Sequence, residues 1–458
     1  MRIKKIEIQN FRAFYGHFEI SLGNAGKNLL LYGENGSGKS SLFYALKLFL
    51  ESANTKDDFL PHQNIFVTDK TQGFVKLTLD AGVHEWSLPS IFPTDPLILN
   101  ANKTKGFLDY KNLLDTHFLQ PSHNGVNLFY LLVENLLANY TESSSGRTIG
   151  EIWRSVQKNL SAKKTTNIYK KELPRESKLM NDVLTKALTE LELKTNELLN
   201  LFNYKIVCNF TFSLELQRIS LNIKFFDQLI TNHHNFLNEA RLSAIALSIY
   251  FASILQQPKG ELSLLALDDV LIGLDMANRL PVIDILKRYF SGYQIFFITH
   301  DKLWFEMMRM RTEDKKWKYA ELYCNPNNGI ELPIYTDNKK YLDRAIEHLE
   351  VNDYKAAAIY ARTAFEVTLK KFCTNKNIKI KYRENIKELE SNDFWEEIKL
   401  FRKNDNTLFL CVELVDQIEL YRSVVLNPLS HSQIISLTKD EVNKAINAIE
   451  RLEIALAN

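Results

Sequence analysis

The sequence predicts an α/β domain, built from a mixed sheet, an antiparallel β-layer and a helical subdomain, followed by an all-α domain. Three observations carry this. An apolar run, a glycine-rich loop and an apolar helix follow one another within Leu29–Leu50 (LLLYGENGSGKSSLFYALKLFL). Two further apolar tetrads, Leu264-Leu265-Ala266-Leu267 and Ile295-Phe296-Phe297-Ile298, end in polar groups, as buried strands do when they reach a site. Beyond about residue 337 only helical spacing is found, which puts a domain boundary there, with residues 1–336 and 337–458 on its two sides.

Length and composition set the bounds. A chain of 458 residues holds two or three domains. With 45% hydrophobic and 24% charged residues it reads as globular, with ample material for a core. A net charge of +2 excludes a bulk electrostatic case for nucleic-acid binding and leaves only a local basic patch. Cys208, Cys324, Cys373 and Cys411 lack metal-ligand spacing and read as reduced thiols. The N-terminal MRIKKIEIQNF lacks the apolar core of a signal peptide. No apolar stretch reaches the roughly 18 residues of a membrane span. The expectation is a cytoplasmic protein with no membrane partner.

The glycine loop has the strongest chemistry. Gly33-Glu34-Asn35-Gly36-Ser37-Gly38-Lys39-Ser40 fits G-x-x-x-x-G-K-[ST] between a strand and a helix, the context this phosphate loop requires. Glycines let backbone N–H groups converge on phosphate oxygens, and the helix N-terminus adds partial positive charge. Lys39 is then expected on the β- and γ-phosphates of ATP and Ser40 on Mg²⁺, with Ser41 beside it.

Along the chain, Ile3, Ile6 and Ile8 alternate with Lys4, Lys5 and Glu7, the period of a half-buried strand. His17–Leu22, residues 75–80 and residues 86–88 continue an antiparallel layer. An apolar helix is expected at 128–137, a polar stretch at 141–178 that is mobile or an outlying helical insertion, and a helix at 176–202, so the insertion spans about 141–202. Strands follow at 205–213 and 219–226, then a helix at 237–255. A helix over 277–290 carries Pro281, expected in its first turn. Asn325–Gly329 reads as a turn.

Four distant pieces join the loop in one template. Asp268 ends a buried strand and suits Mg²⁺; Asp269, next to it, suits orientation of an attacking water. Gly273-Leu274-Asp275 forms a turn soon after. His300 follows the strand Ile295–Ile298. Asn238, with Glu239 and Arg241, opens a helix as a fair N-cap. Taken singly, the acids read as strand caps and Asn238 as a helix cap.

In this order the pieces resemble the ABC-type ATPases of the SMC and RecF-like class over about residues 1–335. The resemblance implies a signature segment at Leu237-Asn238-Glu239-Ala240-Arg241, where that class usually has LSGGQ-like residues, and Asp269 where many members have Glu. It implies that Arg12, in Asn10-Phe11-Arg12, approaches the nucleotide, and offers Gln120 as a Q-loop residue. It also implies a homodimer through the ATPase heads, or a higher oligomer, with ATP between one copy's phosphate loop and the other's signature.

Residues 338–458 resemble HEPN domains. Arg362 and Glu366 lie four apart on a helix and His431 follows in the turn Asn427–His431; this trio is similar to the Arg-x-x-x-Glu…His set of the PrrC and RloC anticodon nucleases. The resemblance implies metal-independent RNA cleavage, with His431 handling a proton and Arg362 the phosphorane charge. The commoner HEPN spacing is absent, since Arg422 and His431 lie too far apart. The architecture also resembles the PtuA ATPase, which implies docking of a separate nuclease. Two functions follow: an anti-phage ATPase controlling cleavage of tRNA or DNA, in cis or through a partner nuclease, or a RecF-like DNA-repair ATPase that clamps DNA without a nuclease.

Overall fold

The computed structural model describes residues 1–88, 91–117, 127–142, 145–230, 233–327, 330–337, 341–380, 390–403, 405–426 and 437–457. They divide into two compact units, Met1–Asp337 and Asn338–Asn458.

The strands of the first unit are β1 (Lys5–Phe11), β2 (Phe14–Ser21), β3 (Asn28–Gly33), β4 (Phe74–Leu79), β5 (Gly82–Ser87), β6 (Gly106–Asp109), β7 (Ile206–Ser213), β8 (Arg218–Phe225), β9 (Gln228–Ile230), β10 (Leu264–Asp268), β11 (Gln294–Thr299), β12 (Trp317–Asn327) and β13 (Ile330–Asp337). Among the described residues they form three sheets: β2-β1-β4-β5, β13-β12-β3-β11-β10-β6 and β7-β8-β9. The central sheet is parallel from β12 to β6, with β13 antiparallel at its edge.

The apolar runs are buried on both sides, and alternate residues feed two cores. Leu29, Leu31, Leu264, Ala266, Phe296 and Ile298 face the core shared with β1, β4 and the helix Lys39–Thr55. Leu30, Leu265, Leu267, Ile295 and Phe297 face the other, built on the helix Glu239–Leu255. That helix is buried almost all round, so its sequence has little amphipathic signature.

Three expectations need correction. Residues 141–178 contain an ordered helix, Ile149–Leu160, opened by a reciprocal Thr148/Glu151 capping box. Its buried Ile149, Ile152 and Trp153 belong to the same core as Leu30, so the insertion is not outlying. The expected apolar helix at 128–137 is present, with π-helical hydrogen bonding over Leu131–Leu136. Pro281 lies inside the helix Met276–Tyr289, not in its first turn. In the expected turn at 325–329, β12 continues through Asn325, Pro326 and Asn327, because the hairpin pairs Asn327 with Ile330.

The second unit is helical among its described residues: Tyr341–Glu350, Tyr354–Asn375, Ser391–Leu400, Val412–Tyr421, a π-helical Arg422–Leu426 and Lys439–Ala457. Its own core includes Ala361, Phe365, Trp395, Ile418 and Ile446. No helix among the described residues is long and apolar enough to cross a membrane.

Candidate nucleotide site

The loop after β3 has the backbone that its glycines permit. Gly36 and Gly38 sit at φ 85° and 93°, where side chains are strained. A Cβ on Gly38 would also lie 2.9 Å from Pro333 Cγ. A Cβ on Gly33 would meet Ser37 Oγ at 2.5 Å and the Leu322 carbonyl at 3.0 Å. Asn35 and Gly36 are exposed, while Ser37 and Lys39 are buried. Lys39 Nζ donates to the Glu34 carbonyl at 2.9 Å across the loop.

The parallel sheet brings Asp268 to Ser40. Ser40 Oγ donates to Asp268 Oδ2 at 2.7 Å. Asp268 Oδ1 is buried and has no hydrogen-bond partner. Burial pushes the Asp268 carboxyl up to about 6 even though the Ser40 hydroxyl opposes the shift. A hydroxyl and a carboxylate with an unused buried oxygen, 228 residues apart in sequence, are the donor set a Mg²⁺ beside a triphosphate takes. The residues therefore fit that ion.

Asp269 adopts φ 53°, which turns its side chain toward the end of β11. Its Oδ1 accepts the His300 backbone N–H at 2.8 Å and lies 2.7 Å from His300 Nδ1. His300 is partly exposed, Asp269 less so. They line a small cleft with Arg279 and Ile272.

Arg12 arrives by a different route. The chain from β1 into β2 carries Asn10 and Arg12 at φ 54° and 47°. Ser41 Oγ accepts the Ala13 N–H at 3.3 Å, tying this bend to the phosphate-loop helix. The Arg12 guanidinium stacks 4.0 Å over the Tyr44 ring, and Tyr44 donates to Asp109 Oδ2 at 3.2 Å. Asp109 ends β6 as the register partner of Asp268.

The signature candidates form a second cluster. Asn238 caps the helix Glu239–Leu255, accepting the Arg241 N–H at 3.1 Å. Arg241 lies over the Phe225 ring at 4.8 Å. A Cβ on Gly273 would meet Glu239 Cγ at 3.2 Å and overlap Ser243 Oγ, so this helix start packs against the Gly273 turn. The Asp275 carboxylate caps the helix Met276–Tyr289, accepting from Asn278 N at 3.0 Å; this is a structural task that competes with a direct role on a nucleotide. Arg279 holds the turn to the His300 loop, donating to the Leu274 carbonyl at 2.7 Å and to Asp301 Oδ2 at 2.5 Å.

A family model described as an AAA domain matches residues 5–246. The chain belongs to the AAA domain family. The matched region of this AAA domain holds the phosphate loop and the signature candidates and ends before Asp268 and His300. Its ATPase character comes with the family, and ATP is the family's nucleotide. No curated protein matches the chain. Among solved structures it is similar to an Smc head bound to the C-terminal winged-helix domain of ScpA (12% identity, 75% of this chain and all of that one, TM-score 0.42). It is also similar to an Smc head with an extended coiled coil bound to the C-terminal domain of ScpA, derived from Pyrococcus furiosus (13%, 77% and 99%, TM-score 0.42). A third is the SMC head domain from Thermotoga maritima (14%, 74% and 100%, TM-score 0.38).

Sequence reasoning missed Tyr44, Asp109 and Arg279. The signal for Asp109 is visible in retrospect: Gly106-Phe107-Leu108-Asp109 repeats the apolar-run-then-Asp pattern of Leu265–Asp268 in a shorter form. Gln120 and His431 lie outside the described residues. In the second unit, Arg362 Nε donates to Glu366 Oε1 at 3.0 Å and Arg362 Nη1 to the Leu426 carbonyl at 3.2 Å. Arg422 is buried between Phe365 and Trp395, bonded to Glu419 at 3.1 Å and to Asn392 at 2.8 Å.

Proposed function

We propose that this AAA domain binds Mg·ATP on Gly33–Ser41 and Asp268, hydrolyses it with Asp269 and His300, and closes as a homodimer over the nucleotide. The observation that carries the reading is the convergence of Ser40, Asp268, Asp269 and His300 at the carboxyl ends of β3, β10 and β11. Lys39 and the loop amides hold the triphosphate, and Ser40 with Asp268 holds the ion, whose charge draws the phosphoryl oxygens. Asp269 accepts from His300 Nδ1, which leaves Nε2 of the ring to hold the attacking water or the γ-phosphate. Exposed Phe236 and Ile272 beside the signature cluster supply apolar surface for the second copy.

The two-fold arrangement puts one copy's Asn238–Arg241 opposite the other's phosphate loop. Light scattering of Asp269→Asn with saturating Mg·ATP tests it: a stable dimer is expected, and a monomer would refute the closure.

Control of nucleic-acid cleavage in anti-phage defence is the favoured role for the second unit. The Arg362–Glu366 pair supports it, because Arg362 also reaches the Leu426 carbonyl, at the start of the segment that carries His431. The two arms are cleavage of tRNA in cis and docking of a separate nuclease. A RecF-like DNA clamp without nuclease activity shares the same ATP chemistry. Incubating the protein with a tRNA pool separates these: loss of product in His431→Ala supports the in-cis arm.

A further inference from the structure

A second cleft, of about 480 Å³, opens at the opposite edge of the central sheet, where β3, β11 and β12 begin at Asn28, Gln294 and Trp317. Ligand sites of parallel sheets lie at the other, carboxyl ends, so the ATP chemistry does not account for it. Its volume falls within the range of specific pockets. Six basic residues line it, Arg2, Lys27, Lys287, Arg311, Lys315 and Lys316, against one acid, Glu313. The whole chain is nearly balanced, with 57 basic and 55 acidic residues.

Basic groups at helix ends have an ordinary explanation, since the helices Met276–Tyr289 and Lys302–Arg311 both end near this cleft. Each helix C-terminus carries roughly −0.5 charge. Two ends and Glu313 together offset only about two of the six cations. Among the described residues Lys287, Arg311 and Lys315 are exposed and enter no ion pair, whereas Arg2 is held by Asn28 and Lys27 by the Asp314 carbonyl.

The floor is apolar: Ile283, Leu286, Phe290, Ile295, Met308 and Trp317. All six are buried, at 0–8% exposed, so the floor is a narrow apolar surface wide enough for the tip of an aliphatic side chain, with little ring face for a stacked base. The Asn28 side-chain oxygen already accepts from Arg2 at 3.0 Å and from the Ile295 N–H at 3.0 Å. An apolar floor inside a cationic rim suits an aliphatic anchor flanked by carboxylates.

We infer that this cleft docks an acidic protein segment whose one or two large apolar side chains enter the floor while its Asp and Glu residues meet Lys287, Arg311 and Lys315. The site is independent of the nucleotide reading, because it lies at the other end of the strands.

The test uses the full chain and a panel of fluorescein-labelled 12-residue peptides, each pairing two leucines or phenylalanines four apart with glutamates elsewhere. Saturable binding is expected for at least one peptide. It should weaken at least 10-fold in Lys287→Glu/Arg311→Glu/Lys315→Glu, and at least 5-fold when the peptide's anchors become serine. Trp317→Phe should keep the binding and lose its change in tryptophan emission. ATP binding by the triple variant, expected unchanged, reports that it is folded; if it is not, Lys315→Glu alone should still weaken the peptide about 3-fold. Binding of no peptide, equal binding by folded variants, or preference for a 20-nucleotide single-stranded RNA over every peptide would overturn the assignment.

Discussion

The His300 ring Nδ1 lies 2.7 Å from Asp269 Oδ1, and the same oxygen accepts the His300 backbone N–H at 2.8 Å. A single carboxylate thus fixes both the position and the tautomer of the imidazole. Asp269 makes both contacts from a left-handed backbone at φ 53°. His300→Ala and Asp269→Asn are each expected to lower kcat for ATP by about 10²- to 10³-fold, the range for general acid–base groups. The double variant should lose little more than either single one, since the two act as a unit. Steady-state phosphate release checks this; additive losses would mean separate roles.

Lys39→Ala is expected to abolish ATP binding, read by fluorescent-nucleotide titration. Gly38→Ala should act through the backbone instead. Its new Cβ meets Pro333 at 2.9 Å and its φ of 93° is strained for alanine. A stability loss of about 1–3 kcal/mol is expected in denaturant unfolding, together with weaker ATP binding. Unchanged unfolding would show that the loop relaxes freely.

Asp268 predicts a pH dependence. Burial pushes its carboxyl up to about 6 in the fold, against about 3.9 in an unfolded chain. Between these values the folded state holds more protons than the unfolded one, so this group makes stability fall as pH rises through about 4 to 6. The cost, about 3 kcal/mol, is fully present above that window. Without nucleotide, Asp268→Asn should therefore melt higher than the wild type at pH 7.5 and equal to it near pH 3.5. Mg·ATP needs the ionised carboxylate, so its affinity for the wild type should drop as pH falls below about 6. Calorimetry against pH reads both.

Two arginines of the second unit separate structure from chemistry. Arg422 is buried and hydrogen-bonded to Glu419 and Asn392. Arg422→Ala should destabilise that unit by about 1–3 kcal/mol, through lost packing between Phe365 and Trp395 and the loss of its bonds to Glu419 and Asn392. The Arg362–Glu366 pair is partly exposed on both sides, where i,i+4 pairs contribute about 0.3–0.5 kcal/mol. Arg362→Ala also removes the bond to the Leu426 carbonyl, so a modest loss of about 1–2 kcal/mol is expected, with altered tRNA products if the in-cis arm holds. Identical products with an intact fold would leave the docking arm.

The phosphate loop, the three long apolar strands and the acid at the end of β10 were legible because each is a contiguous run whose chemistry is local. The helix Ile149–Leu160 is hard to read because polar flanks surround its buried face of Ile149, Ile152, Trp153 and Val156, so the stretch 141–178 reads as mobile or as an outlying insertion. The β12–β13 hairpin was missed because Pro326 and the asparagines around it read as a turn, whereas the strand pairing runs through them. Asp109 escaped notice because four residues are too short to signal a strand without a neighbour to pair with.

What the chain alone determined is the cradle: Gly36 and Gly38 permit the positive-φ backbone of the loop, and Lys39 and Ser40 follow it directly. What only the tertiary structure decided is the company that cradle keeps. Asp268 comes to Ser40, Asp269 to His300, and Asp109 to Tyr44 through parallel strand register and helix packing across up to 228 residues. Such contacts depend on which strands lie side by side, a property of the sheet as a whole and not of any one segment.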